Sequence, residues 1–212
     1  MISSNIRGMK QEEVTGHFDK IAPQYDDYKR KNAFYYSSIK RALKKIIPEG
    51  KRILDFGCGT GEILASLKPS MGVGYDISSK MIELARKKHA KNRFSRFTTS
   101  FNQISENFDY ILMVDVIEHL VNPQNKLKEV LKFMDKNTKL IICFVDSKWE
   151  PSLLLLESLK LKMPEGPHNR LSSKVVIEIA SRAGLTLKNS QKAKIFQLLP
   201  ISPITILSFK RR

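Results

Sequence analysis

The sequence predicts an α/β fold, a mainly parallel sheet with helices on both faces, and three observations carry that prediction. Short apolar runs of strand character recur at Arg52–Phe56, 72–75, 93–98, Tyr110–Val114 and Lys139–Val145. The gaps between them hold stretches with helical spacing, such as 79–89 and 124–134. The first strand runs straight into a glycine-rich turn, Gly57-Cys58-Gly59-Thr60-Gly61, that opens a helix at about Thr60. Alternating strands and helices imply right-handed crossovers and parallel pairing. Ligands of such a sheet bind beyond the carboxyl ends of the strands, where Gly57, Asp76, Ser100 and Asp115 would gather.

In chain order, residues 1–10 read as disordered, and 11–22 as a helix ended by Pro23. A second helix is expected over 32–47, with Phe34, Ile39, Leu43 and Ile46 near helical spacing and Pro48-Glu49-Gly50 as its stop. The short strand that ends at Asp76 follows Gly57 by 19 positions, and Ser78 is placed to cap the next helix. Beyond the fifth strand, Trp149-Glu150-Pro151 leads into an expected helix over 153–160 and a loop over 164–170. A helix over 172–183 then stops at Gly184, and closing strands are expected at 186–190 and 193–199.

Composition narrows the class. The chain has 212 residues, 42% of them hydrophobic, enough for the core of one domain without disulfides. Cys58 and Cys143 have no metal-site or disulfide spacing, so a reducing compartment is expected. Residues 1–20 lack an apolar signal core, and no apolar stretch reaches about 18 residues, so a cytoplasmic protein is expected. The formal net charge of +16 is the outlier; residues 186–212 carry six basic side chains and no acidic one. That bias raises RNA or an anionic membrane as partners, whereas mixed charges elsewhere read as solvated helix faces.

The glycine turn and Asp76 read as two halves of one nucleoside site, with the acid where a ribose presents its hydroxyls. A pyrophosphate turn is G-x-G-x-x-G, but here the glycines fall as G-x-G-x-G with Glu62 next. Asp55 would repel a diphosphate and attract an ammonium. S-adenosylmethionine carries that ammonium and no phosphate.

These residues resemble the class I S-adenosylmethionine-dependent methyltransferases. The run from Phe108 to Leu120 looks like that family's fourth strand and following loop, and its Glu118-His119 pair is similar to small-molecule members such as those of quinone biosynthesis. The resemblance spans residues 14–145. It implies a Rossmann-like, seven-stranded, mainly parallel sheet with an N-terminal helical lid, and a single domain: lid 1–48, cofactor-binding core 49–146, acceptor-pocket insertion and closing strands 147–212. It also implies that Asp55, Gly57, Cys58, Gly59 and Gly61 cradle the methionine part, Asp76 holds the ribose, Ile77 packs on the adenine, and Asp115 borders the cofactor. After the third strand the family often has an acid for the adenine amino group; here the run is Thr98-Thr99-Ser100-Phe101-Asn102, so Ser100 or Asn102 would replace it, beside Phe101. His17-Phe18-Asp19-Lys20-Ile21-Ala22-Pro23-Gln24-Tyr25-Asp26 resembles the family's lid, which makes Phe18 and Tyr25 either lid residues or plain core aromatics.

Methyl transfer from a sulfonium needs a positioned acceptor and, for some acceptors, a base. No metal is demanded. His119, on the loop after the fourth strand, is the first candidate base; Glu118 is an alternative base or its orienter, and both are alternatively only helix caps. His168 is a second candidate, with Glu165 and Trp149 as pocket residues, while His17 and His89 read as surface or packing residues. The chain lacks the Asn-Pro-Pro-aromatic run of amino methylation, and Cys143 reads as a core thiol rather than a nucleophile. Expected acceptors are therefore an oxygen or carbon of a small molecule, sugar or lipid-linked compound. The alternatives are RNA held by the basic C-terminus, or a noncatalytic cofactor-binding module. Residues 195–209, apolar and followed by Lys210-Arg211-Arg212, are either a peripheral membrane contact or a final core strand.

Overall fold

A computed structural model describes residues 8–149, 164, 166–194 and 202–212. The expected disorder of the first seven residues, the helix over 153–160, and Glu165 lie outside the described residues. Seven strands form one sheet in the order β3-β2-β1-β4-β5-β7-β6: β1 Arg52–Phe56, β2 Met71–Tyr75, β3 Ser95–Thr98, β4 Tyr110–Val114, β5 Lys139–Val145, β6 Leu185–Ala193 and β7 Ile204–Arg211. The first five pair in parallel, while β7 runs antiparallel to both β5 and β6. Strand order reverses between β1 and β4, which pair directly, so the ligand crevice of the fold opens past Phe56 and Val114.

Alternate residues of the central strands feed two cores. Leu54, Ile111, Met113, Leu140 and Ile142 face one side, with Leu127 and Val130 of α6 (Pro123–Val130) and Val176 and Ile179 of α7 (Ser173–Arg182). Ile53, Leu112, Ile141 and Cys143 face the other, with α3 (Ala33–Ile46), α4 (Glu62–Ser66) and α5 (Ser79–Lys88). Burial on both faces explains why β5 is an unbroken apolar run rather than an alternating one. Cys143 is fully buried there, as expected of a core thiol. Ser78 caps α5 as expected, its Oγ accepting from the Met81 N–H at 3.1 Å.

Several boundaries differ from expectation. Pro23 does not end the first helical segment: α1 spans Gln11–Ile21, a 3₁₀ turn Ala22–Gln24 contains the proline, and α2, Tyr25–Lys31, follows directly. Within the first positions of a helical turn a missing N–H has no partner to lose, so the proline bends the path without stopping it. The helix expected over 124–134 breaks at Val130 into a 3₁₀ turn, Leu131–Phe133. The closing strands are longer and later than expected: β6 takes in Ala193, β7 begins at Ile204, and 195–199 lie outside the described residues. Because β7 is inserted between β5 and β6, Ile204, Ile206, Leu207 and Phe209 are buried. This part of the apolar C-terminal stretch is a core strand and not a membrane contact. Among the described residues no helix is long and apolar enough to cross a membrane.

Candidate active site

The turn after β1 is held by backbone. The Gly57 and Cys58 N–H groups both donate to the Tyr75 carbonyl, at 2.7 and 3.0 Å, which ties the turn to the end of β2. Gly57 has φ +81°, and a Cβ there would lie 2.3 Å from a Val116 methyl; Gly59 has φ +53°, and a Cβ there would lie 3.0 Å from the Tyr25 ring. Glycine is what lets both the left-handed backbone and the close approach exist. Asp76 completes the cradle: one carboxylate oxygen accepts from Gly59 N–H at 2.8 Å and the other from Ser78 N–H at 2.9 Å. Each oxygen keeps a further lone pair for a ligand hydroxyl.

Asp55 lies at 2% exposure near the end of β1, and its Oδ2 is buried with no hydrogen-bond partner. Burial pushes its carboxyl up to about 7, opposed by the nearby Lys29 ammonium and reinforced by Asp76. Burial likewise raises Asp76, against the two N–H donors that favour its charge.

The N-terminal helices cover this cradle through side chains. Ser78 Oγ donates to Asp19 of α1 at 2.5 Å, Thr60 Oγ1 donates to Asp26 of α2 at 2.7 Å, and Lys40 of α3 pairs with Glu62. Lys29 is 8% exposed, its ammonium over the Tyr25 ring at 4.6 Å and the Tyr36 ring at 4.9 Å. Tyr35 donates its hydroxyl to Asp115 Oδ1 at 2.6 Å. Burial, and then the charge of Asp115, holds that phenol well above its ordinary range, so it stays a donor. Asp115 itself has φ +54°, an uncommon backbone state for a residue with a Cβ, directly after β4.

A cavity of about 70 Å³ lies between cradle and cover. Of the residues singled out from sequence, Gly57, Gly59, Asp76, Ile77, Asp115, Tyr25 and His119 line it, together with Phe18. Others stand outside its walls. The Cys58 side chain packs in the core with Ile63 and Leu64, where burial raises its thiol pKa, so what it offers the site is backbone. Ser100 donates its N–H to Thr98 Oγ1 at 3.0 Å, and Phe101 packs edge-on against Phe56, Tyr75 and Phe133. Gly61 carries the backbone into α4.

His119 Nδ1 lies 2.8 Å from the Pro167 carbonyl. A carbonyl only accepts, so Nδ1 carries the proton and the neutral ring has its lone pair on Nε2. Phe18 packs edge-on to this imidazole at 5.1 Å, with His168 at 6.2 Å. His168 is outside the cavity wall and bonds the Gly166 carbonyl of its own loop. The Glu118 carbonyl accepts from Asn169 N–H at 2.7 Å. His17 reaches the Pro164 carbonyl at 3.1 Å, and His89 stacks on Phe97 and reaches the Thr60 carbonyl, both packing roles. Trp149 ends a 3₁₀ turn, Ser147–Trp149, and most of the expected acceptor segment after it lies outside the described residues.

Sequence reasoning missed Lys29, Tyr35 and Asn169. Tyr25 and Lys29 stand at i, i+4, a signal readable only once α2 is recognised as a helix. Tyr35 and Asn169 act over 80 and 49 positions, on Asp115 and the Leu120 carbonyl, and no local pattern marks them.

The arrangement fits a nucleoside without phosphate: a glycine cradle that a Cβ would fill and a carboxylate with lone pairs for a diol, while the partnerless carboxylate oxygen of Asp55 is buried behind the cavity wall. Comparisons with known proteins agree. The family described as a methyltransferase domain matches residues 27–189. An uncharacterised protein of Methanocaldococcus jannaschii is 32% identical over 168 residues, 79% of this chain and 80% of its own length. A ubiquinone/menaquinone biosynthesis C-methyltransferase of Geotalea daltonii is 32% identical over 149 residues, 63% of each chain. The fold is also that of a solved S-adenosylmethionine-dependent methyltransferase of Thermotoga maritima, with a TM-score of 0.74, 22% identity, and coverage of 94% of this chain and 100% of that one. The chain belongs to the class I S-adenosylmethionine-dependent methyltransferases, an enzyme family for which S-adenosylmethionine is the cofactor.

Proposed function

We propose that this methyltransferase acts on an oxygen or carbon of a small-molecule, sugar or lipid-linked acceptor, with His119 as the base. The observation that carries this reading is the imidazole in the cavity wall, turned by its Nδ1–H bond to Pro167 so that the lone pair is on Nε2. The likeness to a quinone C-methyltransferase supports the acceptor class. So does the run Asp115-Val116-Ile117-Glu118, which lacks the prolines and aromatic that grip an amide-like nitrogen.

S-adenosylmethionine supplies an activated methyl on sulfur. The cradle would fix the donor through Asp76 and the N–H groups of the turn, with Asp55 as counter-charge to its ammonium. The helices of residues 1–48 serve as the lid, and Phe18 and Tyr25 exclude water from the cavity. His119 Nε2 takes the proton of an acidic O–H or C–H on the acceptor as the methyl arrives. Glu118 lends its backbone to Asn169, which holds the loop that orients His119.

The test is labelled methyl transfer into fractionated cell extract. Label should enter the organic-extractable or small-molecule fraction, and His119→Ala should lower kcat by roughly 10²–10⁴ while removing the acidic limb of the pH profile. Label confined to RNA or protein, or an unchanged pH profile in His119→Ala, would overturn the reading.

A further inference from the structure

The excess positive charge of the chain is not spread along its C-terminus. Lys210 pairs with Thr186 at one end of the β6–β7 hairpin, whereas Lys192 pairs with Thr205 at the other, six residues or about 20 Å away. The distal group is already engaged: Arg211 donates to the Leu131 and Met134 carbonyls and Arg212 to Ser181 Oγ. A continuous phosphate-tracking face made by the C-terminal basic residues is therefore not what the fold builds. Instead, Lys192 and Lys194 join Arg41 and Lys45 of α3 around a separate groove of about 280 Å³, floored by Ala42 and Ile206.

Three features mark this groove. Among the described residues, none of its four cations has an ion-pair partner. Lys148 lowers the pKa of Lys192, and the Asp146 carboxylate opposes it. Clustered like charges favour a bound anion. The groove is separate from the active-site cavity, shares no wall residue with it, and is linked to it through α3 and the sheet. Ala193 pairs with Ile204, which pairs with Val145 at the carboxyl end of β5, the end where the crevice opens. Tyr35, bonded to Asp115, and Lys45 stand on the same helix ten residues apart, about 15 Å.

We infer that the α3–β6 groove is a phosphate subsite, and that it holds a phosphate or diphosphate on the acceptor, an assignment that rests on the small-acceptor reading above. A compact cluster of four cations suits one phosphoryl or diphosphoryl group, whereas a polynucleotide would need the charge drawn out along a stripe. Soluble phosphate esters and lipid-linked diphosphates share this chemistry.

Calorimetry on the full chain, at constant ionic strength, tests it with inorganic phosphate, pyrophosphate, a single-stranded RNA and anionic phosphatidylglycerol vesicles. Pyrophosphate should bind saturably, and the double variants Arg41→Gln/Lys45→Gln and Lys192→Gln/Lys194→Gln should each weaken it about tenfold or more. Lys188→Gln, an exposed cation outside the groove, should leave it unchanged, and all variants should bind S-adenosylmethionine like the parent, which reports folding. Additional vesicle binding lost in the same double variants would point to a lipid-linked source, and its absence to a soluble one. Failure of both phosphate and pyrophosphate to bind, equal weakening by Lys188→Gln, or binding of RNA or vesicles without pyrophosphate would overturn the subsite. Methyl transfer to a small molecule without pyrophosphate binding sinks the subsite alone. Intact pyrophosphate binding with label entering only RNA or protein sinks the acceptor reading and the groove's role in it, leaving an anion site.

Discussion

The glycine turn and the helices that cover it bound one cavity by opposite means. The turn is backbone, with glycines at positive φ and Asp76 bonded to two N–H groups. The cover is held by side chains from three helices, each reaching the cradle or its flanks through one or two polar contacts. The first design leaves little freedom to move, while the second is a set of separable contacts with modest individual strength.

The largest expected effect separates what the cradle does for stability from what it does for binding. Asp55 has a folded-state pKa raised to about 7 by burial, so the sign is that of a destabilising acid. Both states are protonated below about pH 4; between about pH 4 and 7 the unfolded chain releases a proton that the folded chain keeps, and stability falls by about 1.4 kcal/mol per pH unit. Asp55→Asn should flatten that decline in urea unfolding and be the more stable protein at pH 8. The same variant should bind S-adenosylmethionine more weakly. Parallel pH curves for the two proteins would mean that burial does not hold the proton on Asp55, and unchanged cofactor binding that it is not the ammonium's counter-charge.

Next, Gly57→Ala drives a Cβ against Val116 at a left-handed backbone position and should cost about 2–4 kcal/mol in thermal unfolding. A cost below about 0.5 kcal/mol would show that the turn yields as easily as the cover. On the cover, Tyr35→Phe removes the hydroxyl that donates to Asp115 Oδ1 and should cost about 1–2 kcal/mol, with weaker cofactor binding by calorimetry. If binding is unchanged, the Tyr35–Asp115 contact is structural only. Smallest of all, a double-mutant cycle on the partly exposed Lys40–Glu62 pair should give at most about 1 kcal/mol, decreasing with salt. A coupling above that would make the cover as firmly held as the turn.

Legibility followed the same division. The bounds of β4 and β5 are legible in the sequence, because an unbroken apolar run between turn signals has few alternatives. The turn, Asp76 and the Ser78 cap were legible because their residue types are required by local backbone geometry. The cover is half legible: Phe18 and Tyr25 reach the cavity, but α2 is hidden in the sequence because Pro23 reads as a helix stop. Most of the second closing strand expected over 193–199 lies outside the described residues; of the apolar stretch 195–209, which reads either as a core strand or as a membrane contact, residues 204–209 are a core strand through insertion between β5 and β6.

By itself, the sequence determined the parallel α/β layout, the glycine cradle and its acid, and so the identity of the methyl donor, since these depend on spacing within one βαβ unit. Tertiary structure decided that Lys29 and Tyr35 reach the cradle's carboxylates, that His119 is oriented by Pro167, and that Arg41 and Lys45 meet Lys192 and Lys194. Those groupings bring together residues 26 to 153 positions apart. No short-range pattern encodes them, because what brings each pair together is the packing of whole helices and strands on the sheet.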